Sequence, residues 1–180
     1  MILGHSEIQK LIQKHSLITN LSDREINDPE GCMIDLRLDK VFKLKGKAFI
    51  GITERETPDL VEIASFDPNK TTSFTFKPDQ YYLVKTIEEV NLPKNIGATF
   101  KPRSTTFRCG LVLRTGFANP GYHGQLFFGI KNEGNIPVKV ELGARFVSII
   151  FHEIKGKAVH TYRGQWQGGR KTTKGREKQI

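Results

Sequence analysis

The stretch MIDLRL, residues 33–38, changes the periodicity of the chain. Ile34, Leu36 and Leu38 fall on one face and Asp35 and Arg37 on the other, the alternation of a half-buried β-strand. Before it, SEIQKLIQKH places Ile8, Leu11 and Ile12 at helical spacing, with Ser6 and Gln9 in a capping-box relation, which predicts a short amphipathic helix over 7–15. The turn-rich DPEG at 28–31 separates the two patterns. Beyond residue 33 the chain reads as strands only: DLVEIASF, TSFTF, QYYLVKT, IGATFK, GLVLRT, QLFFGIK, VKVEL and ARFVSIIF. Turn signals such as DPNK, KPDQ, LPKN, NPGYHG and NEGNIP divide them. Many short strands at this spacing predict a mainly β sandwich, jelly roll or barrel behind one short N-terminal helix.

With 180 residues, the chain suits a single domain with a real core. Its hydrophobic content of 37% and mean hydropathy of -0.39 are those of a globular protein. No apolar run approaches the roughly 18 residues of a membrane helix. The start, MILGHSEIQK, lacks the basic end and apolar core of a secretory signal, so cytoplasmic residence is expected. Cys32 and Cys109 make no disulfide framework. The net charge of +9 favours an anionic partner, nucleotide or nucleic acid. Part of that excess is local: from Arg163 onward, RGQWQGGRKTTKGREKQI has six Arg or Lys against one Glu. Tyr162, Trp166 and the glycines set this segment apart from a plain solubilising tail, although its last dozen residues read as linker.

Between two strand-like runs lies KPRSTTFRCG, residues 101–110, with three cations and three hydroxyls. A solvated turn needs hydroxyls but not Arg103 and Arg108 around them, whereas a phosphorylated ligand uses both. The five histidines have no metal-ligand spacing and no Cys-x-x-Cys occurs, so no protein-held metal is expected. No Walker or GxGxxG pattern is present, so phosphate binding falls to arginines, hydroxyls and the glycine-rich tail.

Five motifs then occur in order: IDLRL at 34–38, PRSTTFRCGL at 102–111, GFANPGYHGQL at 116–126, ELGARFVSIIF at 141–151 and YRGQWQGGR at 162–170. Together they resemble the dCTP deaminases of the trimeric dUTPase superfamily over nearly the whole chain. That resemblance implies a dUTPase-like distorted jelly roll or β-sandwich over 1–161, a homotrimer with sites between subunits, and a basic tail, 162–180, that closes over a nucleotide. It implies dCTP or dUTP as ligand, with Mg²⁺ carried by the triphosphate, and places nucleic acid last among partners. Arg103, Ser104, Thr105 and Arg108 correspond to the family's triphosphate contacts. Arg114, Thr115, Gly116 and Asn119 fall on the base-reading hairpin, and Tyr162, Trp166, Gln167, Gly168 and Arg170 on the lid. Asp35, Arg37 and Arg145 match supporting motifs; Asp35 and Arg37 serve the site or pair only with each other or neighbours.

The departures concern catalysis. The family's water-activating glutamate corresponds to Gly129 in QLFFGIKNEG, and the aspartate of its Asp-Pro-Gly motif to Asn119. The hairpin between Gly110 and Asn119 is also short. A positioned base contributes about 10² to 10⁴ in rate, so its loss raises the barrier by roughly 3–5 kcal/mol. Asp35, His123 and Glu133 are the nearby substitutes. Three functions stay open: an enzyme that deaminates dCTP or hydrolyses dUTP with a rearranged base, a dNTP-binding regulator without turnover, and a nucleic-acid or protein-binding module.

Overall fold

The computed structural model describes residues 1–156, 158 and 160–179. Among them the elements run α1 (His5–His15), β1 (Ile18–Thr19), α2 (Asp23–Asn27), β2 (Met33–Lys45), β3 (Phe49–Ile50), β4 (Glu54–Glu56), β5 (Asp59–Ser65) and β6 (Ser73–Phe76). They continue with β7 (Tyr81–Asn91), β8 (Ile96–Pro102), α3 (Ser104–Arg108), β9 (Leu111–Arg114), β10 (His123–Asn132), β11 (Val138–Glu141), β12 (Arg145–Glu153) and β13 (Glu177–Lys178).

The long strand β2 is the spine, and the alternation that begins in MIDLRL explains why. Ile34, Leu36 and Leu38 are almost fully buried, each contributing roughly 1.5–3 kcal/mol through apolar burial. Its first half pairs with β12, Leu36 opposite Val147, and its second half with β7, Val41 opposite Val84. A register shift between Leu38 and Lys40 bends the strand from one pairing to the other. The main sheet thus runs β8-β12-β2-β7-β10-β9, with β1 on β7 and β5 on β2, antiparallel throughout. It curls around one core into a distorted jelly roll. Phe74, Phe76 and Tyr82 meet edge to face at 5.0–5.4 Å where the β6–β11 pair covers the sheet.

The N-terminal helix starts two residues earlier than its sequence pattern. Gly4, not Ser6, is the N-cap: the Gly4 carbonyl accepts from Glu7 and Ile8, and no side chain caps the end. Two further helical turns, α2 and α3, appear where the sequence pattern predicts no helix. Each is five residues long, too short for amphipathic periodicity to show.

Candidate functional site

The segment 103–108 is shaped by what precedes it. Pro102 ends β8, Arg103 takes an extended backbone as N-cap of α3, and the Arg103 N–H and Thr106 hydroxyl both donate to the Phe146 carbonyl, at 3.2 and 2.8 Å. Buried Thr106 therefore pins α3 to β12 and leaves Ser104, Thr105 and Arg108 exposed. Among the described residues the side chains of those three make no hydrogen bond.

Below α3, Asp35 collects cations. Its carboxylate lies 3.1 Å from Arg103 Nε and 3.2 Å from Arg145 Nη1, and it accepts a 2.6 Å hydrogen bond from Ser148. Glu25, fully buried on α2, accepts the Asp35 N–H at 3.2 Å and pairs with Arg24 at 2.8 Å and Arg145 at 3.5 Å. The hydrogen bond to Glu25 raises the Arg24 pKa further above its ordinary value. Three guanidinium groups thus share two carboxylates, Arg103 through an ion pair and Arg145 through an ion pair that is also a hydrogen bond. Arg37 does not join this cluster. It pairs with Glu88, 2.7 Å from Nε, and its N–H donates to the same carboxylate at 2.8 Å. Burial pushes the Glu88 pKa up, against the opposing pull of Arg37.

A second feature lies where β5, β7 and β10 meet the β9–β10 hairpin. There a cavity of about 370 Å³ is walled by Leu60, Leu83 and Phe127 from the sheet and by Gly116, Phe117 and Asn119 from the β9–β10 hairpin. The tail supplies its roof through Tyr162, Trp166, Arg170 and Lys171. Tyr122 and Tyr162 stack edge to face at 5.5 Å beside it, and the buried Tyr122 hydroxyl, which donates to the Gln125 carbonyl at 2.7 Å, has its pKa pushed up to about 12.

The tail is latched to its own chain. Gln167 accepts from the His123 N–H at 3.2 Å and donates to the Gly121 carbonyl at 2.8 Å, while the Gly168 N–H donates to the His123 carbonyl at 2.9 Å. This approach needs glycine at 124, where φ is +117° and a Cβ would lie 2.5 Å from the Gly169 nitrogen. Further on, Arg170 pairs with Glu177, the hydrogen bond from Arg170 holding the Glu177 pKa below the usual carboxylate range. Thr173 is buried against Thr57 through reciprocal 2.9 Å bonds, and β13 pairs with β4. The stretch that reads as linker is therefore seated on the β3–β4 edge, because its hydroxyls and Glu177 find partners distant in sequence.

In one chain the arginine-hydroxyl segment and the cavity stay apart: none of Arg103, Ser104, Thr105 and Arg108 lines it. Gly116, Asn119, Tyr162, Trp166 and Arg170 do line it; Gln167 and Gly168 instead hold the latch. Thr115 is exposed on the hairpin, and Arg114 faces Glu133 at 3.4 Å. Gly129 is buried in β10 between Leu83 and Arg114. Arg145 joins Asp35 rather than an unrelated neighbour, and Ser148 beside it completes the same network. Glu25, Phe117 and Lys171 escape sequence reading, since each meets a partner distant in the chain: Arg145, His152 and Phe42. A glutamate on the five-residue α2 gives no signal of burial. Among the described residues no group of three or more His, Cys, Asp or Glu side chains is placed to hold a metal.

Comparison with known proteins agrees with this architecture. The family model for dCTP deaminase-like proteins matches residues 2–154, so the chain belongs to the dCTP deaminase-like family. A "dCTP deaminase, dUMP-forming" of Dictyoglomus turgidum is 30% identical over 167 residues, covering 90% of this chain and 85% of the relative. A dCTP deaminase of Pyrococcus furiosus is 29% identical over 169 residues, covering 94% and 96%. The fold is also that of the 2'-deoxycytidine 5'-triphosphate deaminase of Agrobacterium tumefaciens, with a TM-score of 0.63 at 21% identity, over 83% of this chain but only 46% of that one.

Proposed function

We propose that the protein binds pyrimidine deoxynucleoside triphosphates, dCTP or dUTP with their Mg²⁺, as a homotrimer whose sites lie between subunits. The Asp35–Arg103 pair carries this reading. The Asp35 carboxylate, backed by Ser148 and Arg145, pairs with Arg103 at 3.1 Å and holds this half-buried arginine beside α3, where its other donors would meet an anion. Beside it, Ser104, Thr105 and Arg108 are exposed and without partners among the described residues, the donor set a triphosphate requires. The separation of this segment from the cavity supports a trimer, in which one subunit's clamp would meet another's hairpin and tail. Gly116 and Asn119 would then hold the base, with Arg114 and Thr115 on its rim. Tyr162, Trp166, Gln167, Gly168 and Arg170 would close over the nucleotide, and Asp35 and Arg145 would support the clamp. Arg37, committed to Glu88, would support only the sheet.

The relatives' names bring two reactions to this chain, deamination of dCTP to dUTP and formation of dUMP. A second reading, retained binding without that chemistry, is favoured by Gly129 and Asn119, neither of which accepts a proton from water at neutral pH. The test is incubation with Mg²⁺ and dCTP or dUTP, with products separated by chromatography and melting followed in parallel. Nucleotide-dependent stabilisation supports the binding site, and dUTP or dUMP in the product makes the chain an enzyme. Neither effect at millimolar nucleotide rejects the proposal.

A further inference from the structure

The chain binds one of its own carboxylates in the way a basic site binds an anion. Glu177 on β13 accepts from four nitrogen atoms among the described residues. Arg170 meets it with both arms of its fork, Nη1 at 3.0 Å from one oxygen and Nη2 bonded to the other. Gln165 Nε2 donates at 2.9 Å and the Lys174 N–H at 2.7 Å. A second guanidinium stands by. Arg55 lies opposite Glu177 in the β4–β13 pairing, and its buried Nε has no hydrogen-bond partner among the described residues. The Arg55 guanidinium lies 5.9 Å from the centre of the Trp166 ring.

Arg170 and Trp166 also line the cavity under the tail, beside Lys171. The fork that holds Glu177 therefore borders the space assigned to the ligand. Carboxylate and phosphate present the same paired oxygens to a guanidinium, so the two compete for one fork. The Arg170–Glu177 pair is a contact that can give way, since its side chains are 32% and 21% exposed and solvent screens their attraction. The end of the tail does not depend on it alone. Thr173 is buried on Thr57, and Gln179 donates to the Gly51 carbonyl at 2.7 Å.

Resting on the nucleotide reading above, we infer that Arg170 belongs to an anion subsite at the rim of the cavity, which Glu177 fills from within the chain and a phosphate of the ligand takes over. Glu177 is thus an internal competitor that weakens anion binding. Released from Arg170, its carboxylate has Arg55 opposite it in the same strand pair. Charge pairing is exchanged rather than lost, and Thr173 and Gln179 keep the end of the tail seated.

Calorimetric titration of the full chain with inorganic triphosphate and with dUTP, each with Mg²⁺, tests this. Glu177→Gln keeps the shape, still accepts a hydrogen bond and loses the charge; it should bind both about fivefold more tightly than the wild type. Glu56→Gln makes the same change of charge on the neighbouring β4, away from Arg170, and should leave both affinities unchanged. Arg170→Ala should weaken both, and adding Glu177→Gln to it should give no gain, because the contested fork is gone. Hydrogen exchange over residues 171–179 should be the same in Glu177→Gln and the wild type. No gain in Glu177→Gln, an equal gain in Glu56→Gln, or a gain that survives Arg170→Ala overturns the inference. A tail that loosens as affinity rises assigns the gain to opening of the cavity and overturns it too. If neither the wild type nor Glu177→Gln binds either probe, the nucleotide reading falls with the inference; dUTP bound equally by the two removes the inference alone.

Discussion

Asp35 shows how a single carboxylate organises the charges around α3. It neutralises Arg103 and Arg145 with little solvent to screen them, its side chain being 14% exposed. Removing one member of such a cluster leaves like charges facing each other without compensation. Asp35→Ala should lower stability by about 3 kcal/mol in urea unfolding, whereas Asp35→Asn, which still accepts from Ser148, should lose less. Glu88 offers a test through pH. Burial raises its folded pKa above the ordinary glutamate value, so folding disfavours its ionised form. The stability tied to its proton is present below the unfolded pKa and lost as pH rises through the folded one. Glu88→Gln, which cannot ionise, should therefore gain relative to the wild type on going from pH 4 to pH 7 in paired melting curves. A constant difference across that range would contradict the raised pKa.

At the scale of elements, β2 and the tail show what local pattern reveals and what it hides. The alternation in MIDLRL specified the first half of β2, since burying one face of a strand leaves period two in the sequence; past the register shift at Leu38 and Lys40 the period breaks, and Val41 and Phe42 are both buried. Leu36→Ala, in the middle of that face, should cost about 3 kcal/mol. The tail carries no such period. Its order comes from Gln167 reaching Gly121 and His123, from Thr173 reaching Thr57, and from Glu177 reaching Arg170, contacts set by the fold and not by neighbours. The same reason hid α2 and α3, whose five residues are fixed by Glu25 and by Thr106 pointing into the core. Gly124→Ala should release the latch, because the clash it creates is with backbone that cannot rotate away. Hydrogen exchange over residues 162–170 should rise at least tenfold while exchange in β2 and β7 stays unchanged; protection retained in the tail would contradict the latch.

For the whole molecule, the sequence motifs named the family, yet they did not indicate how the parts meet. Arg103 and the hairpin–tail cavity belong to different regions of one chain. Only assembly would bring them together, and light scattering should give a particle of three 20.4 kDa chains; a monomer in solution would leave the cavity without its clamp. Catalytic residues were the hardest to read for a related reason. That the Tyr81 ring lies against Gly129 emerges only when β7 and β10 are paired, and no local pattern announces it.

The most direct measurement is calorimetric titration of dUTP with Mg²⁺ into the wild type and into Arg103→Ala, with a melting curve for each. A clamp held by Asp35 predicts that the alanine variant melts within a few degrees of the wild type, since Arg145 and Ser148 still satisfy the carboxylate, while its affinity falls at least tenfold. Equal affinity in the two proteins would contradict the claim that this segment holds a triphosphate.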